Sequence, residues 1–362
     1  MEILRKTTGA VLAALALAML PPAAVAQQKL TATVYFDYAF NLNTDGAVTG
    51  TQASQDLNNQ FRFRRAYFRY DNKVTDTLSF RLTYDADNTA NITGVTADFL
   101  KPSLTTKKDD KLRPYIKHLY LDYTGLLPNS SLRLGMVNTV TFQVAEDKWG
   151  YRSVAKTLVD GYKDLTGVDI RASSADLGLN FTGTAVKELR YGFMLINGEG
   201  YSHPEYNRFK KVGGYLHLIP VAGVSLVGYA DYEDLAGSAK AVTTKADVFV
   251  DLIPNLTLAM EYVSYDNETF KNADQSRYTS GGFSVFGVYK LIVDKLNAFA
   301  RYDGYQPNST NSQLNKGLII VGLDWAPVHA AWKIQPNVWI VSYSDSAKKS
   351  DVTAQVTFFL SF

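Results

Sequence analysis

The sequence predicts an all-β fold: a transmembrane antiparallel β-barrel of about sixteen strands with a long third extracellular loop folded inward. Three observations predict it. Apolar and polar residues alternate in runs of about ten, the length of a tilted membrane strand. The connections between the runs are alternately short and long. The chain also finishes on such a run, Asp351 to Phe362, with an aromatic last residue. There Val352, Ala354, Val356, Phe358, Leu360 and Phe362 share one face, while Thr353, Gln355, Thr357 and Ser361 share the other. A final strand with one greasy and one wet side, ending in Phe, looks like the closing strand of an outer-membrane barrel.

Composition narrows the class. The 362 residues are 46% hydrophobic and 20% charged, too polar for a helical membrane protein and too apolar for a disordered one. Aromatics reach 13%, with 23 tyrosines, which suits amphipathic rings at two membrane interfaces. Cysteine is absent, so no disulfide staples an exported chain. Residues 1–26 read as a signal peptide: Arg5 and Lys6, an apolar run from Val11 to Leu20, then Ala24-Val25-Ala26 as a cleavage signal. The expected organisation is a removed leader, 1–26, and a barrel, 27–362, in the outer membrane of a Gram-negative-type cell. No later stretch approaches the roughly 18 apolar residues of a membrane helix. A formal net charge of +2 says little about partners, so any electrostatic function must come from where the charges sit.

The runs follow in order. Leu30 to Leu42 is the first, with Tyr35 and Asp37 on its polar face, and a Gly/Asn/Thr/Gln-rich stretch follows to Gln60. Phe61 to Asn72 and Thr77 to Asp87 flank a short polar turn. A polar stretch to Leu112 reads as loop, and Arg113 to Tyr123 and Ser131 to Phe142 form the next pair. Gln143 to Ala175 is the longest connection, and a connection of this length is functional or disordered. Trp149, Tyr151, Val154, Leu158, Val159 and Tyr162 argue for order, with the loop packed on the inner wall. Within it a helix is expected over Val154 to Asp160, capped by Ser153 and stopped by Gly161. Val168 to Arg171 is left in the loop, because counting it as a strand makes the total odd.

Alternation then resumes through Asp176 to Gly183, Glu188 to Gly198, Lys210 to Ile219, Val224 to Glu233, Thr243 to Leu252 and Leu256 to Tyr265. Gly281 to Leu291, Lys295 to Asp303, Gly317 to Ala326, Trp332 to Tyr343 and the closing strand complete the set. Short turns at one end and long loops at the other put both termini on the periplasmic side.

Side-chain alternation then assigns the charges. An Arg facing lipid at the midplane costs roughly 2 to 4 kcal/mol, so Arg81, between Phe80 and Leu82, must look inward. The same holds for Arg133, Arg301 and Lys333. In Phe61-Arg62-Phe63-Arg64-Arg65-Ala66-Tyr67-Phe68-Arg69-Tyr70, strict alternation would send Arg65 and Arg69 outward after Arg62 and Arg64. A one-residue bulge at Arg64-Arg65 repairs this and brings all four arginines to the lumen or its rim. Arg69 is equally suited to snorkel toward headgroups. The expected anion-binding lining is Arg62, Arg64, Arg65, Arg81 and Arg133, extended by Lys148, Arg152 and Lys156 of the long loop as a constriction. Guanidinium grips phosphate or carboxylate with paired bonds, and conduction needs several weak sites rather than one tight one. Asp37, Asp85, Asp247, Asp251 and Glu261 also read as inward-facing and oppose an anion preference.

The run FRFRRAYFRYDNKVTDTLSFRLTYD resembles the second and third strands of the phosphate-selective porin O/P family. SLRLGMVNTVTF, the long insertion, DLGLNFTG and LRYGFMLING are similar to that family's next block in the same order. The likeness covers Phe61 to Gly198 and fades toward the C-terminus. It implies a sixteen-stranded homotrimeric porin with an inward third loop and a pore-lining arginine ladder, to which Arg62, Arg64 and Arg81 correspond by position. The loop is not visibly lysine-rich, and only some family members select phosphate.

The expected function is passive diffusion of small hydrophilic solutes, anions such as phosphate preferred, across the outer-membrane lipid. No cofactor, metal or nucleic-acid partner is expected. The alternatives are a non-selective general porin, a barrel-type receptor or adhesin, and an outer-membrane enzyme. Against the enzyme, His118, His203, His217 and His329 fall in no metal-binding spacing, and no serine sits in G-x-S-x-G. Asp85 to Ala90, DADNTA, lacks the glycine of a calcium loop.

Overall fold

The computed structural model describes residues 27–43, 59–87, 91–98, 103–109, 113–205 and 207–362. The leader expected at 1–26 lies outside the described residues, as does the loop segment 44–58. The strands are β1 (Gln27–Asn43), β2 (Asn59–Lys73), β3 (Leu78–Asp87), β4 (Asn91–Asp98), β5 (Ser103–Asp109), β6 (Tyr115–Tyr123), β7 (Ser130–Asn138), β8 (Ala175–Val186) and β9 (Leu189–Ile196). They continue with β10 (Lys211–Val221), β11 (Val224–Asp234), β12 (Lys240–Ile253), β13 (Leu256–Lys271), β14 (Arg277–Ile292), β15 (Leu296–Gln306), β16 (Lys316–Trp325), β17 (Trp332–Tyr343) and β18 (Asp351–Ser361). All but β4 and β5 form one closed antiparallel barrel, each strand beside its sequence neighbour, with β3 beside β6 and β18 beside β1. Closure removes the sheet edges that lipid cannot satisfy. The last residue completes the seam: the Ala32 and Phe362 amides donate to each other's carbonyls at 2.7 and 2.9 Å.

Sixteen strands were expected, and sixteen form the barrel. The polar stretch after β3, expected to be all loop, instead contains the separate β4–β5 hairpin. Its Thr- and Lys-rich sequence has no continuous apolar face, so a period-two pattern had nothing to register.

Local sequence explains the turns at the terminal end of the barrel. Ala222–Gly223 and Pro254–Asn255 are two-residue hairpin loops, with Gly223 at φ 86° and Asn255 at φ 65°, the left-handed geometry that Gly and Asn tolerate. Alternation sorts the faces. In β12, Val242 and Val248 are exposed on the outside, whereas Thr243, Lys245, Asp247 and Phe249 are buried within.

The connection from β7 to β8 folds inward, as expected. Its helices are α1 (Gln143–Trp149) and α2 (Tyr162–Thr166), ended by Gly150 and Gly167 at φ 69° and 76°. The helix expected over Val154 to Asp160 is absent. Ser153 does not cap a helix there; its hydroxyl donates to Gln335 on the barrel wall at 2.7 Å, and Gly161 precedes α2 instead of ending a helix. Tertiary packing decides this segment, because Val154, Leu158 and Val159 are 0%, 0% and 2% exposed. With Trp149, Tyr151 and Tyr162 they pack against Phe249, Val263, Tyr265, Phe286, Phe299 and Ile320. The main hydrophobic core therefore lies inside the barrel, between the loop and β12–β16. Residues 168–171 are not a strand, in keeping with the even count.

Candidate functional site

The wall formed by β1, β2, β3, β6 and β7 carries the arginines singled out in the sequence. The β1–β2 ladder shifts register where Tyr35 faces Arg65 and Phe36 faces Phe63, leaving Arg64 as an extra residue. This is the bulge expected at Arg64-Arg65. Beyond it Phe68 is 51% exposed on the outer face, and Tyr67 points in, its hydroxyl accepting from Arg152 of the loop at 3.3 Å.

Arg62 and Arg64 converge on Asp37 of β1. Both donate to the same carboxylate oxygen, at 3.1 and 2.7 Å, and Arg62 also donates to Gln355. Thr357 donates to the other oxygen at 2.7 Å, and Asp37 is fully buried. The guanidinium groups are not: 29% of the Arg62 side chain and 28% of Arg64 remain exposed. One carboxylate thus serves two cations.

The same motif recurs nearer the terminal end of the barrel. Arg69 and Arg81 donate to different oxygens of Asp71, Arg81 at 2.6 Å, and Arg81 lies 5.6 Å from the ring of Tyr120. Arg69 therefore takes part in an ion pair on this wall, and no snorkelling geometry is required to explain its position. Arg133 reaches the same ring at 5.3 Å, but Asp122 and Asn138 accept its bonds at 2.8 and 2.7 Å.

Arg65 differs from its neighbours. It is 7% exposed and donates to Asp85 at 2.8 Å and Asp87 at 3.0 Å, with Lys117 3.8 Å from Asp85. Its Nε and Nη2 donate to these carboxylates, so it belongs to a charge-paired cluster beside the more open pairs.

The three loop cations do not form one row. Lys148 pairs with Asp251, close to the terminal end of β12, which ties α1 deep in the barrel. Arg152 bridges Glu146 and Asp160, the latter at 2.5 Å. Burial opposes the charge on Asp160, but Arg152, Lys156 and Lys117 outweigh it and hold the carboxyl below its ordinary value. Lys156 pairs with Asp164 at 2.8 Å and shares a cavity with Arg65. Burial works against the Lys156 charge too, yet Asp160 and Asp164 raise its proton affinity above the ordinary value.

The far wall is charged, and its cations are paired, Lys245 with two carboxylates. Arg301 makes two 2.7 Å bonds to Asp303 and donates to the carbonyl of Lys156, also at 2.7 Å. Lys245 lies with Asp247 and Glu261, and Lys333 pairs with Asp324 at 3.0 Å. The acids read as inward-facing are inside, but they do not form a separate acidic wall. Sequence reasoning missed that Asp37 and Asp71 each hold two arginines. Asp71 ends a run it opens with Arg69 two residues earlier, a signal that was present, whereas the Asp37 contact spans the β1–β2 pairing.

No family model and no curated protein matches the chain. Solved structures share its fold. The anion-selective porin from Comamonas acidovorans aligns over 93% of this chain and 100% of its own, at 10% identity and a TM-score of 0.62. The outer membrane channel DcaP of Acinetobacter baumannii aligns over 93% and 97%, at 13% identity and 0.58. Salmonella typhi OmpF, solved with daunomycin, aligns over 92% and 97%, at 11% identity and 0.59. The barrel is therefore of the kind found in outer-membrane porins.

Proposed function

We propose that the protein is an outer-membrane channel for passive diffusion of small hydrophilic solutes, that it prefers anions such as phosphate, and that it performs no chemistry. One observation carries the preference: Asp37 and Asp71 are each shared by two partly exposed arginines. Each trio keeps one uncompensated positive charge where a passing anion can meet it. Two such places along one wall are several weak sites, which is what conduction requires. Membership of the phosphate-selective porin O/P family and assembly as a homotrimer belong to the same proposal, supported by the resemblance of Phe61 to Gly198, as does export by the leader at 1–26, supported by its basic start, apolar run and Ala24-Val25-Ala26.

A non-selective pore is the second reading. It is favoured by Arg65 and Arg133, whose carboxylate partners leave no such excess. Reconstitution of the full chain in a planar bilayer separates these readings. Stepwise chloride currents reduced by added inorganic phosphate are expected. Currents indifferent to phosphate leave a general pore, and absence of current contradicts a channel.

A further inference from the structure

The barrel wall parts between β6 and β7. Their ladder runs from Tyr123 opposite Leu132 only to Leu119 opposite Met136. On its other edge β6 stays paired with β3 as far as Tyr115 opposite Asp85, and β7 stays paired with β8 as far as Asn138 opposite Ala175. At the long-loop end, therefore, each strand follows its other neighbour. Gly135 stands at the fork at φ 128°, where a Cβ would lie 2.3 Å from the carbonyl oxygen of Leu119. Just before the strands separate, no side chain fits between them at this position.

A cavity of about 770 Å³ occupies the parting, and its lining has two chemistries. Ile116, Leu119 and Leu177 are 38%, 41% and 49% exposed on the outer face, and Met136 joins them. Arg65, Arg113 and Lys156 line the same cavity against one carboxylate, Asp87, which accepts a bond from Arg65. The recess is bordered by lipid-facing aliphatic side chains and by charged groups that face inward. The β3–β6 ladder also shifts register beside it, between Thr83 and Tyr84, leaving Lys117 as the extra residue. Its ammonium group lies 5.1 Å from the Tyr67 ring and 5.5 Å from the Tyr201 ring. Bulges of this kind re-aim side chains beside functional openings.

Unpaired strand backbone is not tolerated against hydrocarbon, but it is tolerated where it meets water or a bound molecule. We propose that the parting is a lateral portal for an amphipathic anion: one alkyl chain ending in a phosphate or carboxylate. The head group joins the ion pairs of Arg65 and Lys156 from the cavity side, and the chain leaves just beyond the Leu119–Met136 pair toward the bilayer. Charge complementarity selects this occupant. A wholly apolar ligand has no use for the cations, and an inorganic ion has none for the aliphatic rim. The portal rests on the channel reading for its inner end but is a second way through the wall.

Single-channel recording with decyl phosphate, below its micelle concentration, tests the portal against inorganic phosphate as control. Blocks of chloride current by decyl phosphate are expected to last at least about ten times longer than those by phosphate, about 1.4 kcal/mol per decade. Met136→Trp and, independently, Leu177→Trp should abolish that prolongation while chloride conductance and phosphate block persist. A decyl phosphate with a diazirine at its tail should label 113–119 and 134–138. Equal block durations for the two anions in the unmodified protein overturn the portal, as does unchanged prolongation in both folded variants. Labelling confined to other segments, or an intersubunit disulfide through Ile116→Cys showing a second copy seated there, also overturns it. A silent protein with no chloride current instead contradicts the channel reading, so the two failures are distinguishable.

Discussion

Arg62 and Arg64, two residues apart on β2 and on its inner face, donate to the same Oδ2 oxygen of Asp37, at 3.1 and 2.7 Å. The pairing leaves the trio with a surplus positive charge. Because Asp37 is fully buried and the arginines are not, the surplus is presented by the guanidinium groups.

Asp37→Asn removes the shared carboxylate. The anion-over-cation permeability ratio should rise about two- to five-fold, roughly 0.4 to 1 kcal/mol of differential attraction. Stability should fall by about 1 to 3 kcal/mol, because charged donors lose their acceptor. Bi-ionic potentials and heat-dependent gel mobility measure the two effects.

Arg64→Gln works in the opposite direction. Arg62 stays on Asp37, the local charge becomes balanced, and the permeability ratio should fall by a similar factor. Stability should change by no more than about 1 kcal/mol for this partly exposed pair. If both substitutions shifted selectivity with the same sign, surplus charge would not be its source.

Trp149→Ala tests the loop anchor. Trp149 is 1% exposed, its indole donates to the Ala155 carbonyl at 2.9 Å, and its ring meets Phe286 edge-on at 5.1 Å. Loss of this side chain should cost about 3 to 5 kcal/mol. The loop should become protease-sensitive and the open-channel current noisier.

Acid should leave the loop in place over most of its range. The carboxyl of Asp160 is held below its ordinary value, so its contribution is present above the unfolded value near pH 4 and is lost as pH falls through the lower folded value. The Arg152–Asp160 bond should therefore persist from neutral pH to about pH 4, whereas Glu146, whose carboxyl burial pushes above its ordinary value, releases Arg152 earlier on acidification. A conductance transition near pH 6 that survives Glu146→Gln would contradict the Arg152–Asp160 anchor.

The barrel was legible because a period of two admits one assignment of faces once lipid penalises charge, and the bulge at Arg64 followed from that same cost. The loop helix was misplaced because Ser153 and Gly161 carry local capping signals, while Gln335 and the inner-wall aromatics that override them are distant in sequence. The arginine partners were harder to see for a related reason: inward orientation is set within a strand, but Asp37 meets Arg62 through pairing between strands. The β6–β7 parting was missed because its one local mark, the break in alternation at Ile116-Lys117-His118-Leu119, does not say which neighbouring strand lets go.

The reversal potential of the unmodified channel under a salt gradient tests the central claim most directly. With potassium chloride more concentrated on one side, surplus positive charge along the β1–β3 wall predicts the sign set by chloride. A potential of the sign set by potassium would contradict it.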